Sequence, residues 1–531
     1  LTAPEAADEA ARPIDPDATA RQIRGSSLLL AGRFISIGLD LVTQILIVRT
    51  LTKDDYGAFA FALSIASFVA SLNVLGLDKT LPRFTAIYRE EGDRGRVVGS
   101  IAVGVVTILG LGVSTMLLAV AIVPGLGQDV VETGEARQLL LILVALGPIQ
   151  AFDSLLLALL ATFTGPRAVF FRKYVLAPGL QLLVVVLLTV TGAPVPFLGL
   201  GYVIAGAAGV GIYGVLFFRT LARDGYFAGI SRAIHYPLRD IYGFTIPFLS
   251  SDVVLVLRST LVIVVIQLLT TSADVAEYRA VVPLARQNTL ALSVFAILFL
   301  PAASRLFARG AHADLNDLYW QTATWVAVIT FPIFVTSFVL AEPITVLFFG
   351  DRYASSGVIL AWLAVGQYFS AALGFNNLTL RVYARVRYTV MVDIITVVVG
   401  AAALVGLVQL AGALGGAIAT CGTLVLQNVL YQVGLARGTP VRPFDPSRAR
   451  VYVVIIAVAL VALVIESVLR PPLLGGIVIA GLASLAVLGL NRDALRIAET
   501  FPEVLRIPYS RRLLGVAAGP SDESNGGERR A

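Results

Sequence analysis

Histidine, cysteine and charge are all scarce in this 531-residue chain: two histidines (His235 and His312), one cysteine (Cys421) and 14% Asp, Glu, Lys and Arg. A single cysteine in an apolar run excludes an internal disulfide or a multi-cysteine metal site, and reads as a small packing residue. Both histidines fall in loops, so none is available to a buried or outer-face catalytic centre. No P-loop, GxSxG elbow or dinucleotide fingerprint stands where a strand, turn and helix could carry it, which leaves an ATP-driven pump without support. Residues 1–26, rich in Ala, Pro, Asp and Glu, have no apolar core of the kind a cleavable signal needs, and are expected to form a disordered cytoplasmic tail.

What is abundant is hydrophobic sequence. The chain is 57% hydrophobic with mean hydropathy +0.85, against a charged fraction far below the roughly 25% of soluble proteins, and this composition predicts an all-α polytopic membrane protein. Taking about 20 apolar residues per crossing gives about fourteen spans. They run near 27–49, 57–77, 97–123, 138–162, 174–191, 198–218, 241–268, 278–300, 318–340, 357–380, 389–410, 413–435, 451–469 and 474–490. The pI of 9.4 does not point to nucleic acid, because the basic residues are spread over many short loops instead of one patch. With a cytoplasmic N-terminus, the loops on one side take Arg83, Arg94, Arg167, Arg172, Lys173, Arg219, Arg239, Arg305, Arg385, Arg442 and the basic tail. The other keeps little beyond Lys53, Arg137, Arg352 and Arg470. This positive-inside pattern places both termini in the cytoplasm and requires an even number of crossings. The outer loops are short, which argues against an outer-face glycan polymerase or ligase, because such an enzyme needs a substantial loop to hold its acid and base.

An internal repeat divides the spans. RTLTKDDYGAFA near Leu51 matches QLLTTSADVAEYRAV near Leu269, LPRF at Leu81 matches LPAASRLF at Leu300, and GPRAVFFRKYV from Gly165 matches ARVRYTVMVDI from Ala384. The steady offset predicts an N-lobe of six helices (27–218), a cytoplasmic linker (219–240), a C-lobe of six (241–435), two further helices (436–490) and a cytoplasmic tail (491–531). An even number of spans separates the copies, so they are parallel, a recurrent transporter plan.

Charges inside the spans mark the candidate site. The first helix carries Arg33, Ser36, Asp40 and Gln44 on one stripe, and the same offset sets Asp40 opposite Arg258 and Arg33 beside Asp252. The eighth span adds Arg286, followed by Gln287 and Asn288. Asp153 interrupts the fourth, and Asp393 is expected to flank a helix end. Intramembrane charges normally face a bundle interior or a wet cavity, and commonly pair with one another. Two readings follow: structural ion pairs among Arg33, Asp40, Asp252 and Arg258, or a chamber whose guanidinium groups grip phosphate oxygens bidentately. The candidate substrate-binding residues are Arg33, Arg258, Arg286, Gln44 and Asn288; Asp40 and Asp252 are candidates for coupling to a proton or sodium gradient. No metal or cofactor is expected.

The run SSLLLAGRFISIGLDLVTQILIVRTLTKDDYGAFAFALS, followed by GLDKTLPRFTAIYREEGD, resembles the polysaccharide transport family, the O-antigen flippases of the MOP exporter superfamily. The resemblance implies a non-enzymatic flippase that moves a polyprenyl phosphate- or pyrophosphate-linked oligosaccharide across the cell membrane by alternating access, with two lobes around a cationic cavity. Its partners would be the lipid-linked glycan, the bilayer and other glycan-assembly membrane proteins. The two extra C-terminal helices resemble those of lipid II flippases, where they form a hydrophobic groove. An ion-coupled multidrug or small-molecule antiporter of the same fold is the rival reading; it would favour acidic groups, whereas arginines match or outnumber them here.

Overall fold

The computed structural model describes residues 16–127, 133–164, 166–227, 234–442 and 446–495, with the side chains at 16–27, 30, 166, 246–255, 291 and 447 outside that description. Among the described residues every regular element is helical, and twelve helical stretches are long and apolar enough to cross a membrane. The protein is a multi-pass membrane protein. Its contacts form two compact units that divide between Ala276 and Glu277.

The first unit begins with α1 (Pro16–Thr50), α2 (Lys53–Val74), α3 (Leu77–Glu90) and α4 (Arg94–Ile122). It continues with α5 (Gly134–Val144), α6 (Leu146–Phe163), α7 (Ala177–Thr191), α8 (Val195–Arg223) and α9 (Leu238–Leu269). α1 starts within the stretch expected to be disordered: Pro16 suits a first helical turn, where its missing N–H is not needed, and Ala, Arg and Gln follow as good helix formers. Thr52 caps α2 by accepting from the Asp55 amide at 3.2 Å, with Asp54 and Asp55 placed favourably in the first turn. α2 stops where Leu75 and Gly76 turn left-handed (φ 53° and 74°), and the chain resumes as α3. The core gathers Leu77, Leu81, Ile101, Leu155, Leu160 and Phe217.

The repeat counts α9 as the first helix of the C-lobe, yet its contacts lie in the first unit. The Tyr88 hydroxyl donates to Asp240 at 3.2 Å, Thr245 bonds Thr80 at 3.0 Å, and Tyr242 meets Thr107 at 2.5 Å. At its other end, a Cβ on Gly57 would lie 1.8 Å from the Ser272 carbonyl oxygen, so only glycine allows α2 this close to the turn after α9.

α10 (Ser272–Arg286) carries the chain into the second unit, which adds α11 (Leu290–Ala308), α12 (His312–Val339), α13 (Ala341–Phe349) and α14 (Ser356–Ala372). α15 (Asn376–Val382), α16 (Val386–Gly438), α17 (Pro446–Leu469) and α18 (Leu473–Leu490) complete it. As a straight rod the 53 residues of α16 would reach about 80 Å, more than twice a bilayer core. The helix is broken at Ala411 and Gly412, where φ is −142° and 55°. Its arms then run side by side: Tyr388 donates to the Leu430 carbonyl at 2.7 Å, Asp393 accepts from Gln427, and Thr423 abuts Gly400. As one number rises the other falls, so the arms are antiparallel. Gly415 closes the turn, since a Cβ there would sit 1.9 Å from the Leu407 carbonyl oxygen.

α17 and α18 dock on α12, burying Ala327, Phe331, Val335, Ile455, Ala459, Ala480 and Val487 together. Arg448, buried at the foot of α17, donates to Gln321 at 2.7 Å and to the Ala494 carbonyl at 3.1 Å. That fixes the short helix Arg492–Leu495 against the unit, at the start of the stretch expected to be a tail.

Candidate functional site

α1 is positioned by its small residue. A Cβ on Gly32 would lie 2.6 Å from the Tyr174 ring and 2.7 Å from that of Phe170, so α1 is clamped there and Arg33, about 100° further round the helix, turns away from the clamp. Arg33 and Asp40 are both exposed, and among the described residues no ion pair joins them. The Ser36 hydroxyl donates to Asp40 Oδ2 at 3.1 Å. Gln44 donates from Nε2 to the Tyr56 hydroxyl at 2.5 Å, which ties the C-terminal end of the stripe to α2.

On the other predicted positions the outcome is mixed. Arg258 is half-buried on α9; Asp252 lies among the side chains outside the description. Arg286 is the last residue of α10 and is exposed. The helix tightens to a single 3-10 turn at Gln287–Thr289 before α11 begins. Asn288 is fully buried inside that turn, donating from Nδ2 to the Ala285 carbonyl at 3.0 Å and to the Ser337 hydroxyl of α12 at 3.3 Å.

Two polar clusters escaped the sequence reading. In the first unit Arg172 is buried and ion-paired with Asp153 of α6. Its guanidinium lies 5.6 Å from the Tyr213 ring centre and fills a notch at Gly209, where a Cβ would come within 2.9 Å of Nη2. Arg172 belongs to a π-helical segment, Phe171–Leu176, just ahead of α7; such widened turns often occur at functional positions. The charge pattern places Arg172 in a loop, whereas it is helical; the Gly-rich GAAGVGIYG run of α8 is the one sequence hint of a cation needing room. In the second unit Asp393 lies two turns into α16, not at its end. It accepts from the Tyr431 hydroxyl at 2.5 Å and from Gln427 Nε2 at 2.7 Å. Asn377 donates to the same hydroxyl at 3.1 Å and accepts from Arg381 Nε at 3.0 Å. The described residues contain no group of three or more His, Cys, Asp or Glu side chains able to hold a metal.

The described residues form a helical membrane body that carries the exposed charges Arg33, Asp40 and Arg286 on its apolar helices, and its fold is similar to those of two solved membrane proteins. A structure of the lipid II flippase MurJ in an inward closed conformation superimposes with a TM-score of 0.68 at 15% identity, covering 88% of this chain and 100% of that one. An inward-facing multidrug resistance MATE transporter of the MOP superfamily gives 0.60 at 16% identity, covering 76% and 93%. At such identities the likeness concerns fold alone. The chain belongs to the polysaccharide biosynthesis protein family, whose profile matches residues 23–307. No curated protein matches it in sequence.

Proposed function

We propose that this protein is a flippase that moves a polyprenyl phosphate- or pyrophosphate-linked oligosaccharide from the inner to the outer leaflet by alternating access, for surface polysaccharide or glycoconjugate synthesis. The observation that carries the reading is the exposure of Arg33 and Arg286 on helices that cross the membrane. A guanidinium at bilayer depth is costly unless it meets water or an anion. A phosphorylated headgroup is the cargo for which fixed guanidiniums supply bidentate hydrogen bonds, while a wet route spares the sugars passage through hydrocarbon. Family membership supports a role in polysaccharide assembly, and the MurJ likeness supports a fold able to perform it. In this reading the chain crosses the membrane fourteen times, with α16 counted twice and α9 included, and both termini are cytoplasmic. Asp40, exposed and held by Ser36, is the candidate for coupling to an ion gradient.

The MATE likeness keeps a multidrug antiporter in view. Exposed guanidiniums disfavour a cationic drug, since like charges repel across a poorly screened site. Replacing Arg33 and Arg286 by Ala, singly, is expected to abolish surface glycan while protein levels hold. Normal glycan in both variants, or resistance to cationic dyes on overexpression, would favour the antiporter.

A further inference from the structure

α2 in the first unit and α10, which enters the second, each break beside a buried asparagine, α2 at a left-handed turn and α10 at a 3-10 turn. In the first, α2 ends at Val74, and Asn73, fully buried, donates to Thr115 of α4 at 3.4 Å. In the second, α10 ends at Arg286, and Asn288, fully buried, donates to Ser337 of α12 at 3.3 Å. Both asparagines leave Oδ1 buried without a hydrogen-bond partner. What also differs is the residue two positions earlier: Ser71, bonded back to the Phe68 carbonyl, in one unit, and exposed Arg286 in the other.

The second break is stapled from within. Gln287 Nε2 donates to the Pro283 carbonyl at 3.2 Å, Asn288 Nδ2 to that of Ala285 at 3.0 Å, and the Thr289 hydroxyl to that of Arg286 at 2.9 Å. Three successive polar side chains thus take carbonyls that the interrupted helix leaves over. Of these bonds, the one from Asn288 to Ser337 is the tie to another helix. Stability alone gives little reason for it: a long neutral bond contributes about 1 kcal/mol, and an orphaned buried oxygen costs about as much. The bond instead fixes the orientation of the turn on α12, and with it the direction in which Arg286 leaves the helix. We infer that Asn288, through its buried bond to Ser337, is a positioning residue that presents Arg286 to an anionic ligand. The ligand's identity rests on the flippase reading; the positioning does not.

Two measurements on the full chain in detergent separate the claims. In a Cys421→Ala background, Arg286→Cys is labelled with a sulfonated methanethiosulfonate. Adding Asn288→Ala or Ser337→Ala is expected to change the labelling rate about fivefold, and Ser337→Thr, which keeps the hydroxyl, to leave it unchanged. Rates within about twofold for both alanine variants would overturn the positioning role, whatever the ligand. Binding of a polyprenyl phosphate, with the uncharged polyprenol as control, is expected to weaken about tenfold in Asn288→Ala, with no further loss when that change is added to Arg286→Ala. Additive losses would also overturn the inference. If the labelling results hold but Arg286→Ala binds the phosphate normally, the positioning stands and the phosphate reading falls.

Discussion

The two units solve one problem in different ways, each holding a carboxylate within its helices. In the first, Asp153 is neutralised by the buried Arg172, which is seated against Tyr213 and Gly209. In the second, Asp393 is held by the neutral donors Tyr431 and Gln427, with Arg381 reached only through Asn377. The clusters fall at matching places in the chain: shifted by the repeat offset, Tyr213 lands on Gln432, beside Tyr431, and Arg172 lands two residues from Asp393. A buried ion pair is severe to break, because removing one partner strands the other charge, whereas a network of neutral donors loses its members one bond at a time. The first cluster is therefore the rigid one and the second the adaptable one.

Three substitutions test that contrast. Arg172→Ala strands Asp153 and is expected to lower stability by about 3 kcal/mol, read from thermal unfolding in detergent. Pairing Asp153→Asn with Arg172→Met should recover most of the loss, and a failure to recover would mean that Arg172 does more than neutralise. Gly209→Ala comes next: helix propensity alone would stabilise it by about 1 kcal/mol, but crowding of the pinned guanidinium reverses the sign to a net loss of about 1 kcal/mol. The loss should vanish in an Arg172→Met background. Tyr431→Phe, which removes one bond to Asp393 and the acceptor for Asn377, is expected to cost only about 1 kcal/mol; a cost equal to that of Arg172→Ala would erase the distinction between the units.

Much of this was legible in the sequence, and the misses have a common physical cause. Apolar runs located the helices, and the Ala-Gly step at 411–412 was read as a boundary although the helix is otherwise continuous. The stripe of Arg33, Ser36, Asp40 and Gln44 follows from helical spacing alone. That Gln44 is tied to Tyr56 does not, because the partner lies on another helix. Arg172 was assigned to a loop because charge counts cannot see a π-helical segment extending a helix across the expected boundary. Asn288 stood out as polar within an apolar span, but only packing shows that it is sealed inside a turn and that its neighbour Arg286 is the side chain presented outward.

The tight reversal at Ala411 and Gly412 bears on how the protein is made. With hardly any chain between the arms of α16, neither can settle in lipid and wait for a long connecting segment to be threaded after it. The arms would enter the bilayer as one preformed hairpin during synthesis, and Asp393 would meet Gln427 and Tyr431 before it met hydrocarbon, where a lone carboxylate at mid-depth costs about 3 kcal/mol.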